Sequence, residues 1–173
     1  VHVDGKVNPI ADKEIIDTEL QLKDLESVEK KISRSEKIAK SGDAKAKKEL
    51  AVLQAYRDAL LAGQNARAVE VPEEDKKAIE DLQLLTAKPV VYVANVDEAS
   101  VLTGNKHVEA LRNLVKSENA EVVVISAAIE AQIAELDTEE DRITFLKEYG
   151  LEESGLNKLI RASYSLLNLI TYF

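Results

Sequence analysis

Leu84-Leu-Thr-Ala-Lys-Pro-Val-Val-Tyr-Val-Ala-Asn-Val-Asp-Glu98 is the stretch that decides the fold of this chain. Its apolar run, Val90 to Ala94, stops abruptly at the polar Asn95-Val-Asp-Glu98. A second run, Glu121-Val-Val-Val-Ile125, stops in the same way at Ser126-Ala-Ala-Ile-Glu130. Short, β-branched and bounded by turn residues, both runs read as buried strands. A helical pattern around His107–Ser117 lies between them, so strand, helix and strand alternate as in a parallel α/β sheet. In such sheets ligands bind outside the carboxyl ends of the strands, where these two carry small polar groups.

Upstream the periodicity changes. From Ala11, with Asp12 as a candidate cap, Ile15 and Ile16 stand in the first turns, and apolar residues recur at Leu22, Leu25, Val28, Ile32 and Ala39. Ser41-Gly42-Asp43 reads as a helix stop and a fresh N-cap. A second pattern, Ala46, Leu50, Leu53 and Leu60, runs to Gly63. Two long helices joined by a tight turn predict an antiparallel hairpin that projects as an arm. Pro72, followed by Glu73, Glu74 and Asp75, predicts a return helix carrying Ile79, Leu82 and Leu85. Helices are also expected near Ala128–Glu135, Glu139–Tyr149 and Gly155–Leu169. Val1-His-Val3 reads as the tail of a strand, Asp4-Gly5 as a turn and Asn8-Pro9 as a break. Three strands cannot cover so many helices, which predicts further sheet beyond these 173 residues. Without a Met, Val1 is not expected to start the reading frame.

Composition narrows the function. The balance, 45% hydrophobic and 32% charged, is globular. No apolar run reaches the ~18 residues of a membrane span, and no basic-then-apolar leader opens the chain. Zero cysteines exclude disulfides, thiolate metal sites and cysteine nucleophiles. A cytoplasmic protein without a membrane partner is the expectation. The net charge is −9, yet its distribution is lopsided. Lys30, Lys31, Arg34, Lys37, Lys40, Lys45, Lys47 and Lys48 face only Glu36 and Asp43, so this window carries +6 and the rest −15. The window falls at the arm's tip. A solvated helix surface is one reading of it, and contact with a polyanion such as RNA is the other. No aromatic residue interrupts it, which argues against base stacking there.

The strand ends carry the candidate chemistry. In P-loop GTPases the corresponding loop is Asn-Lys-x-Asp, whose Asp accepts two hydrogens from guanine. Here Val96 stands in place of the Lys and Glu98 in place of the Asp. The longer Glu98 misplaces its carboxylate for guanine, whereas an Asn95 amide can serve adenine's edge. A Ser-Ala-x loop, as in Ser126-Ala127, supplies backbone N–H to the base in those GTPases. The plainer alternative is that Asn95 and Glu98 merely end a strand. No G-x-x-x-x-G-K-[ST] loop occurs in the chain. His2 and His107 lack ligand-spaced partners, and the acids from Glu135 to Asp141 read as a solvated helix start.

Several stretches together resemble one family, the Obg-like ATPases (the YchF family) among the translation-factor-related GTPases. They are Ile16-Asp-Thr-Glu-Leu20, Lys23-Asp-Leu-Glu26, Leu85-Thr-Ala-Lys-Pro89, Val93-Ala-Asn-Val-Asp-Glu98 and Ala134-Glu-Leu-Asp137. Gly150-Leu-Glu-Glu-Ser-Gly-Leu-Asn-Lys-Leu-Ile-Arg161 and Leu166-Leu-Asn-Leu-Ile-Thr-Tyr-Phe173 complete the set. The resemblance implies an α/β chain, part of a Ras-like P-loop G domain carrying a long antiparallel helical hairpin. Residues 1–10 would end a G-domain strand, and 11–85 would form the coiled-coil arm and its return. Residues 86–170 would be the C-terminal half of the G domain, and 171–173 would open a linker to a TGS domain. The resemblance further implies an ATP or GTP hydrolase using Mg²⁺, with ATP favoured, that binds the ribosome and its large-subunit RNA. Asn95, Val96, Glu98, Ser126 and Ala127 would read the base. The eight cations of the window would be the RNA contacts. No catalytic residue and no metal ligand is carried over, so the 173 residues alone are expected to be inactive and to carry no bound nucleotide. A non-catalytic docking module for RNA or protein, and a coiled-coil dimerisation arm, remain the alternatives.

Overall fold

The computed structural model describes residues 7–40, 43–118, 120–170 and 172. The expected strand tail at Val1–Val3, the Asp4-Gly5 turn, His2, the Ser41-Gly42 part of the hairpin turn, and Thr171 and Phe173 of the expected linker lie outside those residues. Two compact units divide the chain, a helical unit, Ala11–Lys88, and a unit that contains Pro89–Phe173.

In the helical unit, helix α1 spans Pro9–Ala39, 31 residues, about 46 Å at the α-helical rise. It begins earlier than Asp12 predicts. Pro9 opens the helix instead of breaking the chain, because proline's fixed φ suits the first helical position. Helix α2 spans Ala44–Leu61. Asp43 caps it as expected, its Oδ1 accepting from the N–H groups of Lys45 and Ala46 at 2.8 and 3.1 Å. Gly63, at φ +73°, ends it in the left-handed conformation. The Gln64 N–H then reaches the Ala59 carbonyl and the Gly63 N–H the Leu60 carbonyl, which closes the last turn as a Schellman motif. Gln21 pairs with Gly63, and Ser35 with Glu49, so α1 and α2 run antiparallel.

The buried face of α1 is Gln21, Asp24, Val28, Ile32, Ser35 and Ala39, spaced by threes and fours. Half of that face is polar. Ile15, Ile16 and Leu22, expected inside from their type, are more than half exposed. Polar residues hold the face because the chain after α2 folds back onto it. Asp24, 2% exposed, accepts from the Leu85 N–H, the Thr86 N–H and the Thr86 hydroxyl at 2.8, 2.7 and 2.7 Å. Thr86 Oγ1 in turn accepts from the Ala66 N–H at 2.9 Å. Gln21 Nε2 donates to the Gly63 carbonyl and to Asn65 Oδ1. These bonds also correct the expected return helix. Residues 73–75 and 85–87 form 3₁₀ turns, and only Lys77–Glu80, α3, is α-helical. Gln83 sits at φ +48°, which breaks the helix, and the backbone N–H groups that a helix would have used are bound to Asp24 instead.

In the other unit, β1 (Val91–Asn95) and β2 (Glu121–Ile125) pair in parallel, with Val93 beside Val123 and Asn95 beside Ile125. Helix α4, Lys106–Val115, is the crossover, capped by Asn105 and turning Val108, Leu111 and Val115 inward. Helices α5 (Ala127–Ala134), α6 (Glu139–Glu148) and α7 (Gly155–Leu166) follow β2. Thr138 caps α6 and Ser154 caps α7. This is the expected α/β alternation, in a chain whose other unit carries the long helical hairpin. Val93 and Val123 are in-register neighbours and point to the same sheet face. Val123 is 5% exposed and Val93 44%, so the cover over β2 stops short of β1.

Candidate functional site

Two strand tips meet beyond the carboxyl edge of the sheet. Parallel pairing of Asn95 with Ile125 sets the residues after β1 and β2 side by side, and the Val96 N–H donates to the Ile125 carbonyl at 2.9 Å. The Ala127 N–H then donates to Asn95 Oδ1 at 3.0 Å. A backbone N–H can only donate, so the Asn95 oxygen is the atom that faces it. The Asn95 NH₂ is left as a donor, and it stands on an exposed residue. The Ala127 N–H, expected to be offered to a base, is thus already used within the protein. Its neighbour Ala128 is exposed in the first turn of α5, where helical N–H groups lack intrahelical acceptors.

Glu98 lies on the same side of the sheet. Asp97 accepts from the Ser100 N–H at 2.9 Å and holds residues 98–100 in a 3₁₀ turn. The Glu98 carboxylate is exposed, and its Oε1 accepts from Gln132 Nε2 of α5 at 3.1 Å. Val96 packs on the cluster of Val101, Ile129 and Leu151, which anchors the loop while Asn95 and Glu98 face out. Ser126 is 1% exposed, makes no side-chain cap for α5, and its Oγ has no partner among the described residues. All five expected residues therefore belong to one ledge. Asn95 and Ala127 touch, Glu98 is held from α5, and Ser126 lies beneath.

Two supports of the ledge have no motif signal. Gln132 is one polar residue in a short helix. Glu130 has both carboxylate oxygens on the N-terminus of α7, accepting from Gly155 and Leu156 N–H at 2.7 and 3.1 Å. A Cβ at Gly155 would lie 2.7 Å from Ile125 Cγ2, so glycine is what lets α7 press on the end of β2. His107 lies in α4, and no group of three or more His, Cys, Asp or Glu among the described residues is arranged to hold a metal. The ledge thus offers an outward NH₂ at Asn95 beside the Glu98 carboxylate, and among the described residues no donor set for a Mg²⁺ stands with them.

In the helical unit, the eight cations fall into two sets. Lys30 pairs with Glu26, Lys31 with Asp81 and Glu49, and Lys48 with Glu74 and Asp75. The bond to Asp75, then that to Glu74, raises the Lys48 pKa above its ordinary value. Arg34, Lys37, Lys40, Lys45 and Lys47 are exposed and form no ion pair among the described residues. They surround the hairpin end, with Ile38 55% exposed between them. No described helix is long and apolar enough to cross a membrane.

No protein-family model matches the chain. Curated proteins do. It is 50% identical over 174 residues to the ribosome-binding ATPase YchF of Bacillus subtilis, covering 99% of this chain and 47% of that protein. It is 49% identical over 173 residues to the protein of the same name from Escherichia coli O157:H7, covering 100% of this chain and 47% of that one. With the Mycoplasma pneumoniae protein of that name, identity is 37% over 177 residues, covering 100% and 48%. The chain spans about half the length of the curated relatives it matches.

Proposed function

Starting from the premise that this chain belongs to the YchF family over the segment it shares with those relatives, we propose that it supplies the purine-reading part and the basic arm of a ribosome-associated nucleotide hydrolase of the cytoplasm. The observation that carries the reading is the bond from the Ala127 N–H to Asn95 Oδ1. It commits the Asn95 amide to donating outward, while Glu98 can only accept. Adenine presents a matching acceptor and donor side by side, N7 and N6–H₂. Guanine's O6 and N7 are both acceptors, so on that edge Glu98 would face an acceptor. On guanine's other edge, the Gln132 bond and the extra methylene keep Glu98 from the two-point match that an aspartate makes. ATP is therefore favoured over GTP. Hydrolysis in such proteins is water attack on the γ-phosphate, governed by positioning and charge neutralisation, with Mg²⁺ supplying much of the latter. No residue of this chain is assigned to that step.

Titration of the chain with ATP, GTP and UTP tests the base reading. Asn95→Asp keeps an oxygen for the Ala127 N–H but removes the outward donor. It should weaken ATP binding about tenfold, the worth of one well-placed hydrogen bond to the base. Equal binding of all three nucleotides, or an Asn95→Asp variant that binds ATP unchanged, would refute the reading.

The five cations without an ion pair among the described residues favour contact between the arm and ribosomal RNA, since phosphate binding needs only Lys and Arg on a rigid support. RNA binding by the chain should fall steeply with salt. It should be lost when Lys37, Lys40 and Lys45 become Glu, and persist when Lys30 and Lys31 do.

A further inference from the structure

In the described sheet, β2 is paired on one edge only. The Ile125 carbonyl accepts from Val96 of the loop after β1, so the Ile125 backbone faces β1. Backbone groups alternate sides along a strand, so Glu121 and Val123 also face β1. Val122 and Val124 turn their N–H and C=O groups the other way. Among the described residues neither has a backbone partner on that side.

That edge opens into a groove between α4 and α7. One cavity of about 450 Å³ runs along residues 121–124. A second, of about 640 Å³, shares Arg112, Glu121, Val122 and Ser165 with it, so the two are continuous. The charges around them are Arg112, Lys116, Lys158 and Arg161 against Glu121. Arg161 pairs with Glu153, while Arg112, Lys116 and Lys158 have no ion pair among the described residues. Charge on the strand itself is one guard against edge association, and β2 carries a single one, at Glu121. Here the strand is Glu-Val-Val-Val-Ile, without a cation, and the cations stand on the flanking segments.

We infer that the free edge of β2 is a docking slot for an extended, acidic segment of a partner protein, which adds to the sheet as a further strand. The valine amides would bond its backbone, and the flanking cations would pair with acidic side chains projecting from alternate positions. A nucleic acid suits the slot less. No aromatic side chain lines it for base stacking, and its edge offers amides spaced for another peptide chain.

A fluorescein-labelled octapeptide of alternating Glu and Val is the probe, read by anisotropy with the whole 173-residue chain. Arg112→Glu, an exposed position, with Lys158→Glu, a half-buried one, should weaken binding about tenfold or more while leaving the circular dichroism spectrum unchanged. N-methylation of alternate peptide amides should do the same. On saturation, the Val122 and Val124 amides should gain protection from hydrogen exchange, and Val123, already paired, should not. An N-methylated peptide that binds as well, or Val122 and Val124 amides that exchange as before, would overturn the proposal. So would an RNA oligonucleotide that displaces the peptide and binds more tightly.

Discussion

Between the helical unit and the α/β unit the difference lies in how far each closes its own core. Val28, Ile32, Leu53, Tyr56 and Leu60 meet residues of the returning chain, Ala66, Ile79 and Leu84, in one buried cluster. The polar ends of that cluster are satisfied by Asp24, Thr86 and Gln21. In the α/β unit the corresponding cluster is Val101, Ile129 and Leu151. Val93, Leu156, Ile160, Tyr164 and Leu167 remain between 44% and 56% exposed. Along α7 and its C-cap Leu167, Leu156, Ile160, Tyr164 and Leu167 recur by fours and threes, which places them on one face. Two antiparallel helices and a folded-back segment can bury one another's stripes. A two-stranded sheet has two faces and two edges, more than the described helices cover. The helical unit therefore closes its buried cluster within the described residues, while the α/β unit leaves Val93 and the α7 face uncovered there.

The largest expected effect lies at the centre of the closed core. Leu53 is fully buried, and Leu53→Ala should destabilise the helical unit by about 3 kcal/mol or more in urea unfolding, through lost transfer energy and the cavity left behind. A loss under about 1 kcal/mol would mean that this core is no better closed than its neighbour's. Asp24→Ala comes next. It strands the buried Thr86 N–H and the part-buried Leu85 N–H and should cost about 2 kcal/mol, with those two amides losing exchange protection first. Asp24→Ala without such a loss would show that apolar packing, and not the polar latch, holds the return. Gly63→Ala meets no atom within 4 Å, so its cost is conformational, about 1 kcal/mol for a left-handed alanine.

The smallest effect is at Glu26, on the exposed side of α1. Bonds to Lys30 and then Lys23 lower its pKa from 4.5 to about 2. Its contribution to stability is therefore present above pH 4.5 and is lost as pH falls toward 2. Carboxyl NMR of Glu26 should give a midpoint near 2 that returns to the ordinary range in Lys30→Ala with Lys23→Ala. Because the pair is fully exposed, the melting temperature should hardly move.

Local chemistry made much of this molecule legible. Asp43 and Gly63 are residues whose side chain or backbone freedom sets a helix end without help from elsewhere. Two β-branched runs ending in Asn95 and Ser126 announced parallel strands with a polar rim. The family resemblance, carried by motifs along the whole chain, agrees with identities of 37–50% to relatives named YchF. Other features depend on partners distant in sequence. Ile15 and Leu22 have the residue types of a core, while Asp24 and Gln21 hold the buried positions, because the chain some 40 to 60 residues later brings its own backbone donors and acceptors there. The predicted helix after Pro72 lost its continuity to the same bonds. At the ledge, residue types named Asn95 and Ala127, but only the parallel register of β1 on β2 decided that they touch, and hence which atom Asn95 turns outward. Sequence alone determined what is settled within a turn or a strand: caps, strand runs, the long hairpin and the charge at its end. Tertiary structure decided which polar groups are buried and which way they donate, because a hydrogen bond's worth depends on what the fold brings within 3 Å.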